Sequence, residues 1–191
     1  MDSASLRSVL HSRPAIFLIA ATLLTSLTLG VAFVVAHRIY DLRGAAVAPV
    51  EPLSDDQARQ QVLESARLFV GAGRMTDPAA TYLLMSCPGD GEPPYQGNLY
   101  LNFAVPTIAE TPAYFRRIAG AMKERGWLEG LPPGRNPGGR TLAKDGVTAV
   151  YYRDSDLPER GVLQISGECR IMSDHRFDDT GFVDVTGELR P

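Results

Sequence analysis

The sequence predicts an N-terminal transmembrane helix followed by a small α+β domain, whose mainly antiparallel sheet of about five strands is packed by two helices. The first observation behind this prediction is an uncharged apolar run at residues 15–36. The second is the order of the later segments, in which a helix, two strands, a helix and three strands follow one another. That order is typical of an α+β domain with its helices on one face of the sheet.

The apolar run matches the thickness of a bilayer. A helix of roughly 20 residues, with a rise of about 1.5 Å per residue, spans a hydrocarbon core of about 30 Å. We interpret residues 15–36 as an uncleaved signal anchor. The alternative is a cleaved signal peptide with Ala46-Val47-Ala48 as its cleavage site, but the run exceeds the usual apolar length of about 7 to 15 residues.

This anchor divides the chain into four parts. We expect a cytoplasmic arm at residues 1–14, the signal anchor at 15–36, a linker at 37–53 and an extracytoplasmic domain at 54–191. Basic residues flank the run almost equally, with Arg7 and Arg13 before it and Arg38 and Arg43 after it. The orientation therefore depends on the two cysteines, since a pair beyond an anchor suits an oxidising compartment.

Two helices are predicted in the domain. The first begins at Ser54, which forms a capping box with Gln57, and we expect Gly71 and Gly73 to end it. The second has Thr111 as N-cap and Pro112 at its first position, and it ends at Gly126. Its apolar side chains recur at helical spacing: Tyr114, Phe115, Ile118, Ala119 and Met122.

Five strands are predicted, at residues 81–87, 98–105, 141–144, 147–153 and 162–169. The first two are joined by a turn-rich loop and form a long-looped hairpin. The third and fourth flank Asp145-Gly146, a strong signal for a two-residue hairpin turn. The polar tail at residues 170–191 either wraps the sheet edge or frays.

Cys87 and Cys169 are predicted to form a disulfide, the alternative being two buried free thiols. Strand parity is consistent with the bridge, because Cys87 shares a face with Leu83 and Met85 while Cys169 shares one with Ile165. If those faces look at the core, both sulfurs start from the buried side. Closing a loop of about 80 residues stabilises a fold by roughly 4 to 5 kcal/mol in the chain-entropy model.

The charge of the domain argues against nucleic acid. Of the 19 Lys and Arg, four lie before residue 44, and of the 22 Asp and Glu, two do, which leaves 15 basic and 20 acidic residues beyond. A nucleic-acid-binding domain needs a dominant basic surface. We therefore expect a bilayer partner through residues 15–36 and an envelope protein or lipid as a further partner, but no nucleic acid.

No catalytic or metal site can be assigned from the motifs. The cluster Asp174-His175-Arg176-Phe177-Asp178-Asp179 matches neither a zinc helix motif nor a calcium loop, so we interpret it as a solvated or capping segment. Ser166 lacks the glycine elbow of a serine hydrolase. If Cys87 were unpaired, His175 would be its base. We predict neither a cofactor nor a metal, and we favour a protein that is not an enzyme.

A tyrosine-rich set is the candidate binding surface. Tyrosine is amphipathic and enriched at protein interfaces, although half-buried positions in a sheet explain it equally well. A basic face on the second helix accompanies the tyrosines, and a solvated surface is the ordinary reading of such a face. The predicted surface residues are Tyr95, Tyr100, Tyr151, Tyr152, Arg116 and Arg117.

Several short segments carry a resemblance to a family. They are Leu84-Met85-Ser86-Cys87, Pro94-Tyr95-Gln96-Gly97, Tyr114-Phe115-Arg116-Arg117-Ile118-Ala119, Arg125-Gly126-Trp127, Leu142-Ala143-Lys144-Asp145-Gly146-Val147-Thr148 and Gly167-Glu168-Cys169-Arg170. Over residues 55–187 the chain resembles uncharacterised actinobacterial envelope proteins, which are membrane-anchored or of lipoprotein type. The absence of a cysteine in the apolar run departs from the lipoprotein type.

The resemblance implies an envelope location and no catalytic residue. The leading hypothesis is a membrane-anchored, extracytoplasmic binding or interaction module of the cell envelope, single-pass in the cytoplasmic membrane and non-catalytic. The alternative hypothesis is an envelope hydrolase or a thiol-dependent enzyme.

Overall fold

The computed structural model describes residues 22, 25–28, 30–31, 51–178 and 181–190. The chain forms two compact units, Met1–Val50 and Glu51–Pro191. The elements of the second unit are α1 (Asp55–Gly73), β1 (Thr76–Ser86), β2 (Tyr95–Ala104), α2 (Thr111–Lys123), β3 (Leu128–Glu129), β4 (Arg140–Lys144), β5 (Val147–Arg153), β6 (Arg160–Ser166), β7 (Val183–Asp184) and a 3-10 helix, η1 (Thr186–Leu189).

In the first unit, the described residues between 22 and 31 are helical and exposed. Across the described positions of both units, no helix combines the length and the apolar character that crossing a membrane requires. The predicted span at residues 15–36 lies mostly outside the described residues, as do the predicted arm at 1–14 and most of the linker at 37–53.

The sheet is antiparallel and has seven strands in the order β3-β4-β5-β6-β2-β1-β7. Sequence patterns predicted the five longer strands. The two additional strands, β3 and β7, have only two residues each and lie at the two edges. Segments this short carry no alternation for a pattern to detect, so the prediction of about five strands was low by these two.

Both helices pack on the same face of the sheet and enclose the core. The largest fully buried side chains include Tyr151, Phe69, Phe103, Phe115, Leu63, Leu99, Leu101, Ile118, Met122, Leu142, Leu163 and Ile165. Because α1, α2 and five strands contribute to one cluster, the α+β arrangement with helices on one face is confirmed for residues 51–178.

Helix α1 begins and ends where predicted, but its C-terminal cap is not a glycine. Ser54 accepts from the Gln57 backbone N–H at 3.2 Å, and the Gln57 side chain accepts from the Ser54 N–H at 2.8 Å. The last helical residue is Gly73, so the predicted end of the helix is confirmed, but neither glycine is the cap. The left-handed cap is Arg74, with φ of 47°, and its N–H donates to Gly71.

Helix α2 lies where predicted, but it ends at Lys123, three residues before Gly126, and its N-cap differs. Thr111 is the first helical residue and its hydroxyl donates to the carbonyl of Thr107 at 2.9 Å, so it is not the N-cap, which is Glu110. After the helix, Gly126 has φ of 86° and turns the chain back. Trp127 is consequently buried with its ring 5.1 Å from that of Phe69.

Two antiparallel hairpins match the prediction. Asp145 and Gly146 both have positive φ, 47° and 77°, as the two-residue turn between β4 and β5 requires. Strands β1 and β2 pair from Thr76–Ala104 to Ser86–Tyr95. The loop between them closes at Cys87, whose N–H donates to the carbonyl of Pro94 at 2.9 Å.

The disulfide between Cys87 and Cys169 is present, with the two Cα atoms 6.1 Å apart. The expectation that Leu83, Met85 and Cys87 share the core side of β1 was wrong. Ala80 and Tyr82 face the core instead, and Leu83 and Met85 point away from it. Residue 169 lies beyond the end of β6 and is exposed. The bridge therefore lies on the sheet face that the helices leave uncovered.

The tail wraps the sheet edge rather than fraying, over residues 181–190. Strand β7 pairs with Thr81 and Tyr82 of β1, and Val185 and Leu189 are buried. Glu188 ties the segment to α1, since its carboxylate lies 2.5 Å from Arg59 and its carbonyl accepts from Arg67 at 2.7 Å.

Candidate functional site

Helices α1 and α2 leave the opposite face of the sheet uncovered. Side chains of a strand alternate between the two faces, so the core positions of each strand identify the residues that point the other way. We call this surface the open face, and its side chains are Thr81, Leu83 and Met85 of β1, Asn98, Tyr100 and Asn102 of β2, Thr148, Val150 and Tyr152 of β5, and Val162, Gln164 and Ser166 of β6.

The backbone register arranges the open face in cross-strand rows. One row runs from Thr81 through Tyr100 and Gln164 to Val150, and another joins Asn102, Val162 and Tyr152. All twelve side chains are uncharged; two charged residues continue the same face at its margins, Asp184 of β7 opposite Thr81 and Arg160 of β6. A surface of this kind has little affinity for ions and much for another neutral surface.

Tyr100 lies in the middle of the open face and connects its parts. Its hydroxyl accepts from the Gln164 side chain at 3.2 Å and lies 3.8 Å from the Met85 sulfur. The Phe182 ring, which is 69% exposed, lies edge-on to the Tyr100 ring at 6.3 Å between centroids. An aromatic side chain this exposed next to a tyrosine adds to the apolar area available for a partner.

Tyr152 is half-buried among its neighbours. Burial raises the pKa of its phenol above the ordinary value, and the Asp154 carboxylate and Tyr100 add to the shift. The hydroxyl therefore stays protonated at neutral pH and can both donate and accept a hydrogen bond. Tyr152 thus offers an apolar ring with a polar tip, the combination that favours tyrosine at interfaces.

Asn98 holds an unused polar atom within the open face. The residue is 1% exposed, its Oδ1 accepts from Ser166 at 2.7 Å, and its Nδ2 has no hydrogen-bond partner among the described residues. Turning the amide over would only exchange which atom is unpaired, since Ser166 can both donate and accept.

The disulfide closes one end of the open face. Cys87 follows β1 in the chain, and the Cys169 sulfur lies 3.3 Å from the Gln96 side-chain oxygen. Neither cysteine is a free thiol in the structure. The hypothesis of a thiol-dependent enzyme with Cys87 as nucleophile therefore has no support here.

The predicted surface residues divide into three groups. Tyr100 and Tyr152 lie on the open face. Tyr151 is fully buried and its hydroxyl donates to the Phe115 carbonyl at 3.1 Å, whereas Tyr95, 4% exposed, donates to the carbonyl of Gly91. The two buried tyrosines therefore stabilise the fold and present no surface to a partner.

Arg116 and Arg117 are exposed on α2, which lies on the helical side of the sheet. The structure therefore does not bring them together with Tyr100 and Tyr152. The sequence patterns did not predict Asn98, Val150 and Gln164 as members of the open face. The alternation along each strand could have identified them once the core side was known.

His175 joins the tail to the start of α1. Its Nδ1 lies 2.7 Å from Asp178 and its Nε2 lies 3.2 Å from Asp55, the second contact not being aligned as a hydrogen bond. Its ring packs edge-on against Tyr95 at 5.1 Å between centroids. His175 also lines a cavity of about 120 Å³ together with Tyr82, whose buried hydroxyl lacks a partner among residues 51–178 and 181–190.

The expected capping role of the segment around His175 fits these contacts, because both ring nitrogens face carboxylates. No group of three or more His, Cys, Asp or Glu residues suited to a metal ion occurs among the described residues. Ser166, the serine considered for hydrolase chemistry, donates to Asn98. The hydrolase hypothesis gains no nucleophile from this arrangement.

Comparison with known proteins gives one family. The family model described as “Putative lipoprotein LppJ” matches residues 54–188. Proteins of that name from Mycobacterium tuberculosis strain ATCC 25618 / H37Rv and Mycobacterium bovis strain ATCC BAA-935 / AF2122/97 are each 40% identical over 138 residues, which is 72% of this chain and 72% of each relative. No solved structure matches the chain.

Proposed function

We propose that this chain, which belongs to the family of “Putative lipoprotein LppJ”, is a membrane-anchored binding module of the cell envelope. The members of that family are envelope-associated proteins, so the resemblance expected from the sequence is confirmed. In this proposal the domain beyond residue 53 lies outside the cytoplasm. It binds a protein partner through the open face and carries out no reaction of its own.

The anchor proposed here is the apolar run at residues 15–36 rather than a lipid. The relatives are named lipoproteins, and a lipoprotein is attached through a modified cysteine near its N-terminus. The two cysteines of this sequence, Cys87 and Cys169, are joined to each other in the domain. A helix at residues 15–36 would hold the domain at the membrane by burying apolar side chains in lipid.

The single observation behind the binding role is the open face, whose twelve named side chains are uncharged and include two tyrosines. Sheets covered by helices on one side commonly expose charged or short polar side chains on the other, where water solvates them. Here Tyr100, Tyr152 and Val150 are half-buried instead. Covering them with a partner would bury apolar area at a low cost in side-chain entropy, since a tyrosine has few rotatable bonds.

A protein fits the open face better than a small ligand does. Small-molecule sites are concave and enclose most of their ligand, whereas the side chains of the open face follow the gently twisted surface of a sheet. Flat surfaces rich in tyrosine and poor in charge are typical of the centre of a protein interface. We therefore assign the open face to a protein partner.

Site-directed photo-crosslinking in intact cells tests this role. A photoreactive phenylalanine analogue at Tyr152 is expected to capture a specific protein, because Tyr152 is a half-buried aromatic position on the open face. The matched control is the same analogue at Leu131, which is 87% exposed and lies on the loop between β3 and β4. Equal products from both positions, or none from Tyr152, would contradict a partner on the open face.

A charge on the open face provides a second test. Replacing Val150 by Asp places a carboxylate next to Gln164 without entering the core, so the domain is expected to fold and the Tyr152 crosslink to disappear. The control is Thr148→Asp, at an exposed position of the same strand on the rim of the open face, and it is expected to weaken the crosslink less. Retention of the full crosslink in Val150→Asp would remove the open face from the proposal.

The membrane placement has its own test, independent of the partner. A reporter enzyme that needs disulfides for activity is expected to work when fused after residue 191, and a reporter active only in the cytosol is expected to fail there. The opposite pattern would place the domain inside the cell and overturn the anchor orientation.

A further inference from the structure

A second surface, on the helical side of the molecule, holds two arginines that have no acidic partner. Arg74, at the C-terminus of α1, and Arg117, on α2, line a cavity of about 340 Å³. Between them lie Tyr114 and the apolar side chains of Val105 and Pro106, just after β2. None of these residues belongs to the open face.

The lack of partners sets these arginines apart from most cations of the domain. Arg59, Arg140 and Arg160 each pair with a carboxylate. Others donate to backbone carbonyls, as Arg125 does to Ala121 at 2.7 Å. Arg74 and Arg117 have neither a carboxylate nor a carbonyl partner for their guanidinium groups within residues 51–178 and 181–190. Their donors are therefore available to a ligand.

Arg117 is held in place without using its donors. Its guanidinium carbon lies 4.9 Å from the centroid of the Tyr114 ring, one helical turn earlier in α2. Stacking on a ring face orients the guanidinium and leaves its N–H groups free. Tyr114 is 6% exposed, and burial raises the pKa of its phenol, so its hydroxyl is a neutral donor beside the two cations.

Arg74 occupies a backbone position that favours glycine. Its φ of 47° is in the left-handed region, which strains residues that have a Cβ atom. Its N–H and that of Met75 donate to the carbonyls of Gly71 and Val70, so the helix cap fixes the backbone at this point. An arginine at such a position suggests that its side chain has a use that outweighs the strain.

We propose that this cavity binds a phosphate group. The three donors come from two elements, Arg74 from the end of α1 and Arg117 and Tyr114 from α2, which suits the tetrahedral arrangement of phosphate oxygens better than the two coplanar oxygens of a carboxylate. The apolar wall formed by Val105 and Pro106 accommodates an uncharged part of the same ligand. A cavity of about 340 Å³ has room for more than the anion itself.

The acidic balance of the domain makes local recognition necessary. With 20 acidic against 15 basic residues beyond residue 43, the long-range field repels an anion. Attraction must therefore come from charge-assisted hydrogen bonds at short range. Two sources can supply the phosphate, a soluble phosphate ester or the head group of an anionic phospholipid.

The test uses the full chain in a neutral detergent and measures both sources. Titration calorimetry with glycerol 3-phosphate reports soluble phosphate esters, and native mass spectrometry with phosphatidylglycerol reports the lipid head group. Binding in either arm supports the proposal and identifies the source. The absence of binding in both arms at millimolar concentration overturns it.

Three variants separate specific binding from general charge effects. Arg117→Gln and Arg74→Gly are each expected to weaken binding about tenfold or more, the loss typical of one charge-assisted interaction. The matched control is Arg116→Gln, which removes the same charge from the neighbouring exposed position and is expected to change binding less than about twofold. Equal weakening by all three variants would show non-specific attraction and would overturn the proposal.

Arg74→Gly also distinguishes binding from folding. Glycine relieves the left-handed strain, so this variant is expected to unfold at the same urea concentration as the parent chain or at a higher one. Loss of phosphate binding in a protein of undiminished stability then assigns the effect to the missing guanidinium. A variant that binds phosphate as the parent does would exclude Arg74 from the site.

Discussion

Removing the disulfide should cost the domain a large part of its stability. The bridge joins residues 82 positions apart and closes a loop that contains β2 to β6 and α2. In the chain-entropy model, opening a loop of this length in the unfolded chain destabilises the fold by about 4 to 5 kcal/mol. Single domains are stable by only about 5 to 15 kcal/mol, so this loss is a substantial fraction.

The measurement is urea unfolding of the full chain in neutral detergent, followed through the fluorescence of Trp127, the one tryptophan. With a denaturant dependence of about 2 kcal/mol per molar urea, the double variant Cys87→Ala with Cys169→Ala should unfold at a urea concentration roughly 2 M lower. Reductant should produce the same shift in the parent chain and none in the variant. Trp127 packs on Phe69 in the core, so its signal reports loss of the helix layer.

Two results would refute this reasoning. The first is a midpoint that moves by less than about 0.5 M, which would mean that the unfolded chain is already compact or that the bridge strains the fold. The second is the titration of two free thiols in protein isolated without reductant, which would mean that the bridge does not form in the cell.

Three further substitutions test other parts of the fold by the same unfolding assay. Tyr82→Phe removes a hydroxyl whose pKa is raised to about 12 by burial and by Asp55. Because the unfolded chain gives up this proton at a lower pH than the folded chain, the free energy of unfolding of the parent should fall by roughly 2 to 3 kcal/mol relative to the variant as pH rises from about 10 to 12. Equal losses of stability in parent and variant would refute the assignment. Ser54→Ala removes half of the capping box of α1 and should cost about 1 kcal/mol, whereas an unchanged midpoint would mean that the cap contributes nothing. Gly97→Ala places a Cβ atom 2.9 Å from the carbonyl oxygen of Ala58 and should cost about 1 to 3 kcal/mol by separating α1 from β2; Gly120→Ala, with open space around it, is the control and should not destabilise.

Features set by neighbouring residues could be predicted from the sequence. The capping box at Ser54, the fold-back of Trp127 after Gly126 and the turn at Asp145-Gly146 each depend on a few adjacent residues, and the structure has all three. Strand β2 was also clear, since Leu99, Leu101 and Phe103 alternate with polar or tyrosine side chains. Local backbone chemistry is enough to determine features of this kind.

Strand β1 shows where pattern reading fails. Leu83, Leu84 and Met85 are consecutive apolar residues, so the strand has no polar face to mark the solvent side. Parity then offers two equal answers, and the choice depends on Tyr82 packing in the core and on the order of strands in the sheet. A contact made by distant residues decides the question.

The candidate site was predicted only in part, for the same reason. Tyr151 and Tyr152 are adjacent, so they must face opposite sides of β5, and only the packing of α2 against Tyr151 decides which of them is exposed. Tyr95 was assigned to a loop, but it begins β2 and its N–H donates to the carbonyl of Ile171 at 2.7 Å. Arg74 gave no signal at all, because its left-handed backbone and its cavity arise from the tertiary structure.

The position of β6 in the sheet has a consequence for how the chain reaches its folded state. Strand β6 pairs with β2 from Asn98–Ser166 to Ala104–Arg160. The centre of the sheet therefore joins two segments that are distant in sequence, and the second is synthesised well after the first. Until residue 166 has emerged, β1 and β2 form a hairpin with one long side unsatisfied, and α1 has only part of its packing surface. Because pairing between distant segments is slow, a nascent N-terminal half would stay vulnerable to proteases and dependent on chaperones. The domain can complete its folding only after nearly all of its residues have been synthesised.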